Sequence, residues 1–116
     1  MIPQLGGVPG FRDLLPEEAE VLREAQESVL AEMRRWGYRH LITPMVESLD
    51  VLEKGLGAEQ RRRLFKFTDA RGEVIALVGE RTVPVARVVA GKLRAAPLPM
   101  RLCYAGPVLS TDEGRF

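Results

Sequence analysis

The sequence holds one cysteine and one histidine in 116 residues. A single thiol, Cys103, cannot form an internal disulfide, and one Cys with one His cannot build a Cys/His zinc site. Any metal would need a carboxylate cluster, and no Asp/Glu group at ligand spacing is present, so no metal and no cofactor is expected. Aromatic residues make up only 6%, which leaves few platforms for stacking nucleobases. Charge of one sign is lacking as well: 17 Lys+Arg against 16 Asp+Glu gives a net charge of +1. That balance excludes a nucleic-acid binder driven by net charge, though not a local basic patch. No apolar run approaches the ~18 residues of a membrane span. The start, MIPQLGGVPG, lacks the basic and apolar regions of a signal peptide. These absences describe a reduced, cytoplasmic protein, and the length fits one domain.

What is present reads as an α+β chain. Gly and Pro crowd residues 1–11, as in a loop or arm. A helix is predicted from Pro16 to Trp36. Proline suits the first helical position, where its missing N–H would have no partner. Glu17, Glu18 and Glu20 favour the positive end of the helix dipole, and Arg34 and Arg35 the negative end. Leu22, Ala25, Val29, Met33 and Trp36 recur at three and four residues, which is one helical face. Gly37 is a natural stop. A strand is expected over Tyr38–Thr43, then a short helix Leu49–Lys54 capped by Ser48. A polar loop is expected over Gly57–Arg63. Leu64–Thr68 and Glu73–Val78 read as the arms of a β-hairpin, joined by the turn Asp69-Ala70-Arg71-Gly72. A helix from Thr82 to about Leu93 and a strand over Met100–Ala105 complete a largely antiparallel architecture.

Several residues merit a chemical reading. Glu80 and Thr82 lie where a strand hands over to a helix. A carboxylate and a hydroxyl there can hold a ligand amine through charge-assisted hydrogen bonds. The plainer alternative is a helix start, with Thr82 as cap and Glu80 complementing the dipole. Arg61-Arg62-Arg63 can contact phosphate, but such a run is commonly a solvated surface. His40 has no nucleophile partner nearby in sequence, so a structural or surface role is expected. Cys103 sits among apolar neighbours and reads as a small buried hydrophobe. Neither Gly6-Gly7 nor Gly55-x-Gly57 matches a nucleotide-binding loop. No motif by itself specifies a reaction.

The ordered series of segments does carry a resemblance. Gly10-Phe11-Arg12-Asp13-Leu14-Leu15-Pro16-Glu17-Glu18-Ala19 is similar to the opening of histidyl-tRNA synthetases and of their paralogue, the regulatory subunit of ATP phosphoribosyltransferase. The long helix, Tyr38–Thr43 and Pro44 resemble motif 1 of class II aminoacyl-tRNA synthetases. Phe65–Gly72 resembles the hairpin that follows. Ala76–Arg87 resembles the segment that contacts histidine, and Arg101–Leu109 the first strand of motif 2. The resemblance implies a class II synthetase-like fold, a mostly antiparallel sheet flanked by helices. Residues 1–116 then form a single domain, the N-terminal part of a synthetase-like catalytic-type domain. It further implies Glu80 and Thr82 as contacts to the amino group of histidine, and a homodimer packed through the motif 1 helix and strand.

Departures from the synthetase pattern separate the two branches. Val78-Gly79 stands in place of an Arg-Pro pair, and the cation Arg81 in place of a glycine. Leu109-Ser110 stands in place of a Phe-Arg pair, whose arginine grips the ATP α-phosphate and the carboxylate. A hydroxyl cannot make the bidentate contact of a guanidinium. The stretch Thr111–Phe116 is shortened, and motif 3 would lie beyond Phe116. The expectation is therefore a non-catalytic regulatory subunit of ATP phosphoribosyltransferase, which acts at the first step of histidine biosynthesis. Its expected partners are a short-form catalytic subunit and free histidine, and neither tRNA nor a membrane. The alternative is a fragment of a histidyl-tRNA synthetase. No catalysis is expected of this chain alone.

Overall fold

A computed structural model describes residues 5–111. The first residues of the N-terminal arm and the shortened stretch after Thr111 lie outside the described residues. Helix α1 spans Pro16–Arg35, with Pro16 in its first turn and Arg34 and Arg35 in its last. The chain leaves it at Gly37, which has φ +84°, a conformation glycine adopts without steric cost. There the Gly37 and Tyr38 N–H groups donate to the Arg34 and Met33 carbonyls at 3.0 and 3.1 Å. Along the outer face, Glu20 and Glu27 bracket Arg23. Hydrogen bonds from the guanidinium to Glu20 and then Glu27 raise its pKa above the ordinary arginine value.

Strand β1 (Arg39–His40) pairs in parallel with β5 (Leu102–Cys103). Parallel partners need a long crossover, and the rest of the fold lies within it. That crossover holds a three-stranded antiparallel sheet, order β2-β4-β3, of Val46–Ser48, Val74–Leu77 and Lys66–Thr68. Helices α2 (Leu49–Gly55), α3 (Ala58–Arg62) and α4 (Thr82–Ala90) complete it. The hairpin β3–β4 closes as its sequence predicts. Gly72 N–H donates to Asp69 O at 3.1 Å, and Asp69 Oδ1 accepts from the Arg71 and Glu73 N–H groups at 2.8 and 2.9 Å. Leu52, Leu56, Leu64 and Ala76 form the core, with Leu49 and Val83 packed against it. Gly55 is where α2 meets α4, because a Cβ there would run into the Val83 side chain.

The α+β expectation holds, with local corrections. Residues 57–63 are not a loop, because α3 forms there and its Gln60 side chain accepts from Gly57 N–H at 3.1 Å. Ser48 belongs to β2 and makes no side-chain cap to α2. The outer strands are shorter than expected, since only two residues of each find a ladder partner. Helix α4 ends at Ala90, where Gly91 breaks the pattern. The apolar stripe of α1 is mostly uncovered: the helix has no buried residue, only Leu30 and Met33 are half-buried, and Val29 and Trp36 are 55% and 68% exposed. No helix among the described residues is long and apolar enough to cross a membrane.

Candidate functional site

The site lies where β4 gives way to α4. Val78 is fully buried and continues the strand, donating its N–H to Met45 O and accepting from Leu109 N–H, both at 2.9 Å. Glu80 then turns back on the helix. Its two carboxylate oxygens accept from the Thr82 and Val83 N–H groups, at 2.8 Å each. Glu80, and not Thr82, is thus the cap of α4. A carboxylate here satisfies two otherwise unpaired N–H groups and faces the positive end of the dipole. The Thr82 hydroxyl pairs with Tyr104 Oη at 2.9 Å instead. Capping does not exhaust Glu80, because an ionised carboxylate has about four acceptor positions.

Beside Glu80 is a pocket of about 200 Å³, lined by Leu56, Gln60, Arg63, Leu64, Gly79, Glu80 and Ser110. Hydrogen bonds join its walls: Leu109 N–H to Val78 O at 2.9 Å, and Thr111 N–H to Arg63 O at 2.7 Å. Ser110 is held between those two bonds. Gly79 presents bare backbone, and a Cβ there would lie 3.2 Å from both Leu109 O and Leu64 Cδ2. The absence of a side chain at Gly79 thus lets the Ser110 segment lie close to this turn of the backbone.

Arg81 does not enter this pocket. It is 7% exposed and is not among the residues that line the pocket. Its guanidinium donates to Pro107 O from Nε at 3.1 Å and Nη2 at 2.8 Å, and to Thr43 O from Nη1 at 3.3 Å. Nη2 also lies 3.1 Å from Met45 Sδ. Arg81 is thus a brace between the β1–β2 connection and the segment after β5. Gly106 makes room for it, because a Cβ at that position would lie 2.8 Å from Cζ and Nη2 of Arg81.

The other singled-out residues divide. Cys103 is buried and free, as expected. His40 is exposed and, with Arg39, Leu93, Leu98 and Arg101, lines a second cleft of about 610 Å³. Of the arginine run, Arg62 is exposed, while Arg63 lines the Glu80 pocket and pairs with Glu59 at 2.8 Å. Sequence reasoning missed Gln60, the placement of Arg63 in this pocket, and Tyr104. Helical spacing from Gln60 to Arg63 was the available signal for the first two, since residues three apart share a helix face. No three His, Cys, Asp or Glu side chains converge as metal ligands among the described residues.

This arrangement of two small sheets, a long leading helix and a capped strand-to-helix junction is that of a class II aminoacyl-tRNA synthetase-like domain. The chain belongs to the histidyl-tRNA synthetase family, whose model matches residues 10–116. In sequence it is 43% identical over 105 residues to the ATP phosphoribosyltransferase regulatory subunit of Syntrophotalea carbinolica, covering 90% of this chain and 24% of that protein. The regulatory subunit of Moorella thermoacetica is 41% identical over 104 residues, covering 90% and 27%. In structure it is similar to an ATP phosphoribosyltransferase regulatory subunit/histidyl-tRNA synthetase from Bacillus halodurans, with TM-score 0.84 and 30% identity over 97% of this chain and 29% of that one. Apo histidyl-tRNA synthetase of S. aureus gives TM-score 0.75 and 28% identity, over 88% and 28%. The chain thus spans about a quarter of the length of the relatives it matches.

Proposed function

We propose that the gene product carrying this chain is the regulatory subunit of ATP phosphoribosyltransferase. In this role it partners a short-form catalytic subunit at the first step of histidine biosynthesis, in the cytoplasm, and senses free histidine. These residues form the N-terminal part of a synthetase-like domain that has kept the fold without the chemistry. The observation that carries the reading is Ser110. It lines the Glu80 pocket at the position where the resembling synthetase pattern has the arginine that grips ATP. An uncharged hydroxyl neither neutralises a phosphate nor offers a bidentate fork. Loss of one donor aimed at developing charge costs about 3–4 kcal/mol of transition-state stabilisation in well-studied enzymes. Similarity to regulatory subunits at 41–43% identity supports the same branch.

Glu80 supplies the anionic end for the ligand ammonium, using acceptor positions left over from capping α4. Thr82, tied to Tyr104, adds a hydroxyl at the same junction. The subunit forms a homodimer, with the exposed stripe of α1 and Ile42, which is 78% exposed, packed across a two-fold axis. No role for tRNA is proposed. The test of the regulatory reading is reconstitution: added to a short-form catalytic subunit, the gene product raises its rate and makes it sensitive to histidine. Histidine-dependent exchange of pyrophosphate into ATP would instead establish the synthetase reading.

A further inference from the structure

The pocket beside Glu80 contains a cation that no motif assigns. Helix α3 ends at Arg62, and Arg63 follows it into the pocket wall together with Gln60 from the preceding turn. Opposite charges thus line one small cavity: Glu80 from the β4–α4 junction and Arg63 from the end of α3. Leu56 and Leu64 supply an apolar floor, and Gln60 and Ser110 supply neutral donors. A site for a bare anion such as phosphate would not include a carboxylate, and a site for a simple cation would not include a guanidinium. The pairing suits a zwitterion that carries both charges and an apolar or aromatic body.

We infer that Arg63 is the carboxylate contact of this pocket, replacing from the C-terminal end of α3 the guanidinium that Ser110 does not provide. The inference rests on the reading of the Glu80 pocket as a free-histidine site. Arg63 pairs with Glu59 through one terminal nitrogen, at 2.8 Å. A guanidinium has five N–H donors, so most of its capacity is left for a ligand. The exposed ion pair holds the side chain near the pocket while contributing little to stability. The backbone at the same residue is fixed, because Arg63 O accepts from Thr111 N–H at 2.7 Å. Backbone hydrogen bonds thus tie the Ser110 segment to Arg63 on one side and to Val78 on the other. Exchange of the arginine from the motif 2 strand to the end of α3 keeps the amino-acid carboxylate neutralised. It also removes the positive charge from the strand position whose synthetase counterpart grips ATP, so binding of histidine is separated from activation of histidine.

Calorimetric titration of the full gene product with L-histidine and with histamine, which lacks the carboxylate, tests this. Arg63→Gln is expected to weaken L-histidine by about 10- to 100-fold, the scale of a lost charge-assisted contact. Histamine, unable to use Arg63, is expected to change by less than about twofold, the size of an exposed-pair effect. Arg63→Lys restores part of the L-histidine affinity, and Arg62→Gln, outside the pocket, leaves it unchanged. Thermal melting of each variant checks the fold. If L-histidine binds the wild type and Arg63→Gln retains full affinity, or if histamine loses as much as histidine, Arg63 is not the carboxylate contact. If the wild type does not bind L-histidine at all, the reading of the pocket as a histidine site fails too, and the two failures are distinct.

Discussion

Replacing Gly106 by alanine is a small change with a large expected effect, because of where its methyl group must go. That methyl would sit 2.8 Å from Cζ and Nη2 of Arg81 and 3.0 Å from Nε, inside contact distance. The guanidinium must shift, yet it is buried and bound to the carbonyls of Pro107 and Thr43. Overpacking of this kind costs about 1–3 kcal/mol. Removing the guanidinium instead, with Arg81→Met, leaves those carbonyls without their donor. Thr43 is buried and Pro107 is exposed; one unsatisfied buried acceptor costs about 1–3 kcal/mol, and a loss of roughly that size is expected. The double variant gives the decisive number. Once the guanidinium is gone the alanine methyl has space, so the double variant should be no less stable than Arg81→Met. The coupling is then about 1–3 kcal/mol, within the range for residues in direct contact. Urea unfolding followed by circular dichroism measures it. With a slope of ~1–3 kcal/mol per M, a 2 kcal/mol change moves the midpoint by roughly 0.7–2 M. Strict additivity of the two substitutions would refute the account of Gly106 as the space that admits the Arg81 brace.

Gly55→Ala drives a methyl into Val83, so a loss of about 1–3 kcal/mol is expected in the same assay; no loss would mean that α2 and α4 do not meet at that residue. Arg87→Ala strips Nε from Glu47 Oε2, 2.9 Å away, and leaves a buried carboxylate. Because Arg87 is itself partly exposed, about 1–3 kcal/mol is expected, below the full cost of breaking a buried pair. Glu80→Ala removes the α4 cap, costing about 1–2 kcal/mol, and abolishes L-histidine binding. Glu80→Ala that binds histidine normally would exclude the pocket as the ligand site. Placing glutamate at both Leu22 and Val29, in the exposed stripe of α1, is expected to convert a dimer to a monomer in sedimentation velocity without lowering helicity; an unchanged sedimentation coefficient would move the interface elsewhere.

The elements that close on themselves were the legible ones. Helix α1 carries its start in Pro16 and its stop in Gly37, and the β3–β4 turn is written into Asp69 and Gly72. Local chemistry decides both, and both form where expected. Residues 57–63 look like a loop because their polar side chains show no apolar period, yet one Gln60–Gly57 bond and the docking of Leu64 suffice for a turn of helix. Parallel pairing of β1 with β5 depends on residues more than sixty positions apart, beyond the reach of local pattern. At the site, Glu80 was found by its place between strand and helix, but its capping role was assigned to Thr82. The hydroxyl is the commoner cap, and only the fold brings Tyr104 close enough to claim it. For Arg81, sequence does not say which side of a strand-to-helix turn the side chain takes. The carbonyls of Thr43 and Pro107 decide that, and both lie distant in sequence.

Under the proposed function, Ser110 and the Glu80 pocket belong to a regulator and not to a ligase. The most direct measurement of this is the rate of ATP phosphoribosyltransferase with a short-form catalytic subunit, taken with and without the gene product and across a histidine titration. The rate is expected to rise on addition and then to fall as histidine is raised, while the gene product alone exchanges no pyrophosphate into ATP. An unchanged rate at every histidine concentration, together with histidine-dependent pyrophosphate exchange, would contradict this reading.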